Sequence, residues 1–390
     1  MKNISALLFA ATTLVACVGQ PDDPGTGGGD DDPMGSGSGS NPVDEWDKLL
    51  GERVVDYPAA LRIAALRLTG DLPSMDETMS VANAADDAAK KTAYETLIRA
   101  YMERPTFARQ MFHFWRDTLK MGGGTNGEYD TAPAFAAQLA AENRSYMELF
   151  TASTNNCPTF DEGTGAFTPA TCAGNGPQVG VLGNPGAMKL YYGNFAFRRV
   201  RWVQEAFDCT KFPAEVGAPQ NVGGAAPYNG VWPFNSISGL DTGRVDFKDV
   251  SAVVCANCHQ TLNHSAPLFA NFDDDGVYQN TISVSTPLDG APMAQLTDYL
   301  PAGETTAWRF GTPTATLVEY GAAMAADPSI AKCGVARVWN WALGKTDIVD
   351  TLMEVPVATI QTQLDAFTAS GFKMKDMIYS VYTADDFVKF

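Results

Sequence analysis

The chain has 390 residues, with 27 Lys and Arg against 45 Asp and Glu, for a formal charge of -18 at pH 7. Phosphate backbones are held by clustered cations, so this balance speaks against nucleic acid as a partner. At 45% hydrophobic residues the chain has apolar surface for one large or two modest cores, and no stretch after the N-terminus is apolar for long enough to cross a bilayer.

Residues 1–16 read as an export signal: Lys2 is basic, and the apolar stretch over 4–15 is too short for an ordinary membrane span. Leu14-Val15-Ala16-Cys17 looks like a bacterial lipobox, which implies cleavage before Cys17 and acylation of that Cys; a secretory signal cleaved elsewhere is the alternative. Val18 stands where an acidic inner-membrane retention residue would be, so the expected place is the cell envelope, lipid-anchored at the outer membrane. Residues 20–41 are almost all Gly, Asp, Ser and Pro and bury too little to repay ordering, which makes 17–44 a flexible tether.

Beyond Val43 the composition turns globular, and helices dominate the expectation. Pro58 opens an apolar-periodic run over 59–68 that Gly70 can close, and 86–104 repeats the pattern. Pro105 starts a third helix, expected to run through Met121 and to stop at Gly122-Gly123-Gly124. Phe107, Met111, Phe114, Trp115 and Leu119 share one broad face of it, as a core-facing stripe does. The Ala, Leu, Glu and Met content predicts one further helix over 132–151, then a loop to about Gly186. Residues 195–207 alternate aromatics with Arg198, Arg199 and Arg201, read as a solvated basic face, with contact to haem propionates as the alternative. A Pro, Gly and Asn-rich connection fills 213–243, and helices are expected again at 314–325, 330–343, 357–369 and 373–382.

The run Cys255-Ala256-Asn257-Cys258-His259 has the C-x-x-C-H spacing of a covalent haem c attachment site. On a helix the two thiols stand about one turn apart, which suits addition to two vinyl groups on one haem edge, with His259 turned to the iron as proximal ligand. A zinc knuckle of Cys255, Cys258 and His259 or His264 lacks a second ligand pair at the usual spacing. A thioredoxin-like dithiol would open a helix inside a βαβ unit, a pattern not found in this chain, and an inert disulfide remains the bland reading. Pro267 is the candidate whose carbonyl orients the imidazole. Met293, in Gly290-Ala291-Pro292-Met293, is the candidate distal iron ligand, with Met121, Met324 and His113 behind it and His264 too close in sequence to His259 to reach the opposite face. Asn271 to Gly276 imitates the start of a calcium loop, but Ile282 stands where the bidentate Glu belongs, so an acidic turn is expected. Setting aside Cys17, Cys255 and Cys258 leaves four cysteines in an exported chain. Cys157 and Cys172 bracket a Gly, Thr and Pro loop and are paired on that ground, leaving Cys209 for Cys333, with the other connectivities open.

Several segments together resemble the planctomycete-type cytochrome c families, exported bacterial proteins with helical domains around a C-x-x-C-H segment. Arg67 to Ser74, Tyr94 to Arg104 and Trp115-Arg116-Asp117 are similar to their N-terminal helical module. Arg198-Arg199, Trp202 and Cys209 are similar to the stretch before their haem motif, and Cys255, Cys258, His259, Asn271-Phe272-Asp273 and Gly276 to the motif segment, although His264 and Ala266 stand where those families carry Pro and Gly. Cys333, Ala342-Leu343-Gly344 and the stretch from Gly371-Phe372 through Phe387 are similar to their C-terminal module. The resemblance implies a mainly α, haem-bearing exported protein and carries no substrate with it.

The expected organisation is a helical module over 45–155, a disulfide loop, helix and connecting loops over 156–245, a cytochrome c-like haem segment over 246–310 and a C-terminal helical module over 311–390. No nucleophile elbow or H-E-x-x-H zinc motif is present, so the expected role is an electron carrier with redox partners in the envelope. A haem enzyme with an open sixth site, and an envelope scaffold lipoprotein with a structural haem, are the alternatives.

Overall fold

The computed structural model describes residues 45–124, 127–211, 253–286, 292–300, 302–309 and 312–390, without the side chains of 45–47 and 253–257. Residues 1–16, read as an export signal, Cys17, the 17–44 stretch read as a tether and the 213–243 stretch lie outside the described residues. The fold is mainly helical with few strands. Helix α1 (Glu45–Glu52) belongs to a first unit ending at Glu52, and Arg53–Phe390 form a second.

The second unit begins with local signals that are easy to trace. Helix α2 (Tyr57–Thr69) starts where Asp56 Oδ1 accepts the Ala59 N–H at 2.9 Å, has Pro58 in its first turn, and ends at Gly70 with φ 79°. Helix α3 (Met75–Ala82) was not expected from the apolar pattern; its signal is the capping box in which Ser74 accepts the Glu77 N–H and Glu77 accepts the Ser74 N–H. Helix α4 (Asp87–Tyr101) opens on an Asp86 cap and stops before the expected Arg104. Helix α5 (Pro105–Leu119) buries Phe107, Met111, Phe114, Trp115 and Leu119 as its stripe predicts. The expected stop at Gly122 is corrected to Lys120, whose φ of 50° lets the Met121 N–H donate to the Arg116 carbonyl.

The single helix expected over 132–151 is broken. Helix α6 (Thr131–Ala141) packs on α5 and gives way at Asn143, which takes φ 53° while the Arg144 N–H turns back to the Leu139 carbonyl; α7 (Glu148–Thr151) is a separate turn. The stretch read as loop to Gly186 contains a hairpin of β1 (Thr159–Asp161) and β2 (Ala166–Thr168), antiparallel with Phe160 opposite Phe167, and Cys157 and Cys172 flank it at disulfide distance with Cα atoms 4.8 Å apart. Helix α8 (Pro185–Leu190) follows, then a 3-10 turn at Asn194–Ala196 that leads into α9 (Phe197–Phe207).

Helix α10 (Val253–Phe269) lies along α9 and also touches α11 (Leu296–Tyr299). The C-terminal part comprises α12 (Leu317–Ala326), α13 (Pro328–Ala342), α14 (Val349–Met353), α15 (Val357–Ala369), α16 (Met374–Tyr382) and α17 (Asp385–Val388). Most of α13 is buried, because α9, α14, α15 and α16 all pack against it. Cys333 of α13 is at disulfide distance from Cys209, just past α9, with Cα atoms 5.5 Å apart. The two ends of the unit meet where Val54 and Phe390 exchange backbone hydrogen bonds at 2.9 Å.

Candidate functional site

Helix α10 carries Cys255, Cys258 and His259 on consecutive turns; the Cys255 side chain lies outside the described part. Cys258 is half-buried against the core. His259 Nδ1 lies 3.2 Å from Oδ1 of Asn263, one turn further along the same helix and itself buried. An amide oxygen only accepts, so this contact is met by the tautomer that carries its proton on Nδ1. The Phe197 ring meets the imidazole edge to face with centroids 5.0 Å apart. Burial pushes the imidazole pKa down to about 4, against the opposing pull of the Asn263 bond, so the ring is neutral at physiological pH.

The wall beside His259 is aromatic because α9 and its lead-in supply it. Phe195 and Phe197 stack at 5.4 Å, and the Tyr299 ring of α11 stands edge-on to both, at 5.3 and 6.1 Å. Tyr299 is fully buried, and its hydroxyl has no hydrogen-bond partner among the described residues. Burial raises its pKa, so the group is a neutral O–H donor. Met293 is brought to the same neighbourhood by backbone pairing: it bridges antiparallel to Ser285, whose carbonyl accepts the Phe195 N–H at 3.2 Å. The residue is 47% exposed.

The remaining sequence candidates are placed as follows. Pro267 lies inside α10, two turns beyond His259, and its carbonyl accepts the Ala270 N–H at 3.3 Å. His264 Nε2 is 3.0 Å from Glu304, and His113 on α5 is 3.4 Å from Glu162. Met324 and Met121 are buried in the core. Asp273, in the acidic turn, has its carboxylate engaged by the N–H groups of Asp275 and Val277 and by the Gln279 amide. Among the described residues no group of three His, Cys, Asp or Glu side chains is arranged to hold a metal ion, and no helix is long and apolar enough to cross a membrane.

One expectation is corrected outright. Arg198 and Arg201 are exposed, but Arg199 is fully buried and donates to the carbonyls of Met188, Phe269, Phe272 and Asp273 at 2.6 to 2.9 Å. The guanidinium thereby caps the C-terminal end of α10 and ties it to α8. Burial lowers its pKa to about 10, which keeps it charged. Asn263 and Tyr299 also escaped sequence reasoning. Asn263 had a signal, since it stands four residues after His259 in a helix; Tyr299 had none, because its approach to Phe197 depends on how α11 folds back.

A scan against family models, a search of curated proteins and a search of solved structures each return no match to this chain.

Proposed function

We propose that the chain is a lipid-anchored, c-type cytochrome-like protein that binds one covalent haem c through Cys255, Cys258 and His259 and passes single electrons between redox partners of the cell envelope. The observation that carries this reading is the attachment spacing on one helix, combined with a neutral His259 whose Nδ1 proton is engaged by Asn263. An iron-ligating imidazole needs an outer partner on Nδ1, and Asn263 stands where that partner belongs. Phe195, Phe197 and Tyr299 exclude water from the flank of His259, and the buried Tyr299 hydroxyl is a donor that a carboxylate or ligand oxygen would satisfy. When bound, the haem supplies a one-electron iron couple whose potential follows the axial ligands and the surrounding polarity. Met293 is the proposed distal ligand and Cys17 the proposed lipidated residue, while Asn263 takes the imidazole-orienting role that the sequence offered to the Pro267 carbonyl.

The test is haem staining on a denaturing gel and an oxidised and reduced spectrum, for protein made in a host with cytochrome c maturation. Low-spin bands and covalent stain are expected from the parent, and Cys258→Ala should lose most of the stain while the chain is still exported. Unchanged haem content in that variant would sink the assignment. A high-spin parent spectrum that shifts with cyanide would instead favour a haem enzyme with an open sixth position.

A further inference from the structure

Helix α9 has a second face, and it is not apolar. Arg198, Arg201, Trp202 and Glu205 recur at the i, i+3, i+4 and i+7 spacing of one helical stripe and line one side of a cleft of about 250 Å³. The other side comes from the end of α5, the residue after α8, and α13 with the turn that follows it. Four cationic side chains meet only two carboxylates here, in a chain whose formal charge is -18.

The pairing of those charges leaves a surplus in one place. Arg337, 4% exposed at the base, donates to the carbonyls of Glu205 and Ala206 and to Asp347 Oδ1 at 2.6 to 2.9 Å. Arg201 donates to Glu205 Oε1 at 2.7 Å. Both carboxylates are therefore taken by short bonds. Lys120 reaches Asp347 only at 3.8 Å, and the Arg198 guanidinium donates to the neutral carbonyl of Tyr192. Beside these two cations stands an aromatic pair: the half-buried Tyr191 ring stacks on the buried Trp202 ring at 5.1 Å and 16°, and both are pinned by the Leu119 carbonyl, which accepts from the Tyr191 hydroxyl and the Trp202 indole N–H.

We propose that this cleft binds a small carboxylate with a planar apolar body, of the size of a monocyclic aromatic acid. The carboxylate sits between Arg198 and Lys120, and the ring lies against Tyr191, which the Trp202 stack and the Leu119 carbonyl hold in place before binding.

Calorimetric titration of the full chain in detergent with benzoate tests it, using benzyl alcohol and inorganic phosphate as comparison probes. Saturable benzoate binding is expected, with benzyl alcohol and phosphate each at least about tenfold weaker. Arg198→Gln and Lys120→Gln, both at exposed positions, should each weaken benzoate about five- to tenfold and leave the response to benzyl alcohol unchanged. Absence of saturable benzoate binding, phosphate binding as tight as benzoate, or benzoate affinity unmoved in both variants would overturn the proposal.

Discussion

Arg199 shows how much one side chain can fix. Its guanidinium donates to four carbonyls, three of them from the end of α10 and the turn beyond it. The Phe269 and Asp273 carbonyls also accept the Phe272 and Gly276 N–H groups, so Arg199→Leu takes the side-chain donor from all four and bears hardest on those of Met188 and Phe272; a loss of about 3 to 5 kcal/mol is expected, since each unsatisfied buried group costs about 1 to 3 kcal/mol. Arg199→Lys should recover only part of it, because an ammonium lacks the planar fork that spans α8 and α10 together. Arg198→Gln, one residue earlier and exposed, should stay within about 0.5 kcal/mol of the parent. Urea denaturation midpoints of the three variants check this; equal losses at 198 and 199 would contradict it. The sequence did hold a hint: Arg199 shares a helical face with the buried Trp202, Val203 and Ala206. What it lacked was the identity of the acceptors, which lie about seventy residues downstream for three of the four.

At the scale of the element, α13 is started by Asp327 and held by Arg309. Asp327 Oδ1 accepts the Ser329 N–H at 2.9 Å, while Oδ2 accepts from the Trp308 indole at 2.9 Å and from Arg309. Arg309 also donates to the buried Asp208, at 2.6 Å, just past the end of α9. The two carboxyls shift in opposite directions. Burial opposes ionisation of Asp327, yet its N–H and Arg309 partners outweigh burial and hold the pKa below the usual value; for Asp208 burial prevails over Arg309 and raises it. A depressed native pKa contributes stability above the unfolded value near 3.8 that is lost as pH falls through the native one. Asp327→Asn should therefore cost about 1 to 2 kcal/mol at pH 7, and the gap to the parent should shrink as the pH is taken below about 4. Asp208→Asn should be the milder change at pH 7, because burial already works against its charge. Thermal unfolding of both variants at pH 7 and pH 3.5 decides it; a gap for Asp327→Asn that grows in acid would refute the assignment. The same contrast shows what the chain discloses about itself. Helices with a Pro or acidic start and an apolar period, such as α2, α5 and α15, are legible because their signals are local. The break between α6 and α7 is not, since only the left-handed Asn143 marks it. The proposed attachment residues Cys255, Cys258 and His259 are read from spacing alone, whereas Asn263, Tyr299 and the charge pairing around α9 require the helix and its neighbours to be in place.

For the molecule as a whole, the two cysteine pairs close loops of very different size, and that difference sets what each can do. Cys157 and Cys172 are separated by 15 residues and enclose only the β1–β2 hairpin, whereas Cys209 and Cys333 are separated by 124 and enclose the whole of α10, Met293 and α11. Loop-closure entropy predicts about 3 kcal/mol for a 15-residue loop and about 4.7 kcal/mol for one near 100 residues. The longer loop also spans the 212–252 connection, so cutting it frees the unfolded chain over the segment that carries the attachment motif. Ala substitution at both Cys209 and Cys333 is accordingly expected to lower global stability by more than substitution at both Cys157 and Cys172, by about 1 to 2 kcal/mol. The site of loosening should differ as well. Amide hydrogen exchange in the first variant should rise across α9, α10 and α13, because α13 is fastened to the end of α9 by that bond and by Arg337, and in the second it should rise only around the hairpin. Equal destabilisation with exchange confined to the hairpin in both variants would mean that packing along α13, rather than the long covalent loop, holds α10 in register with the rest of the unit.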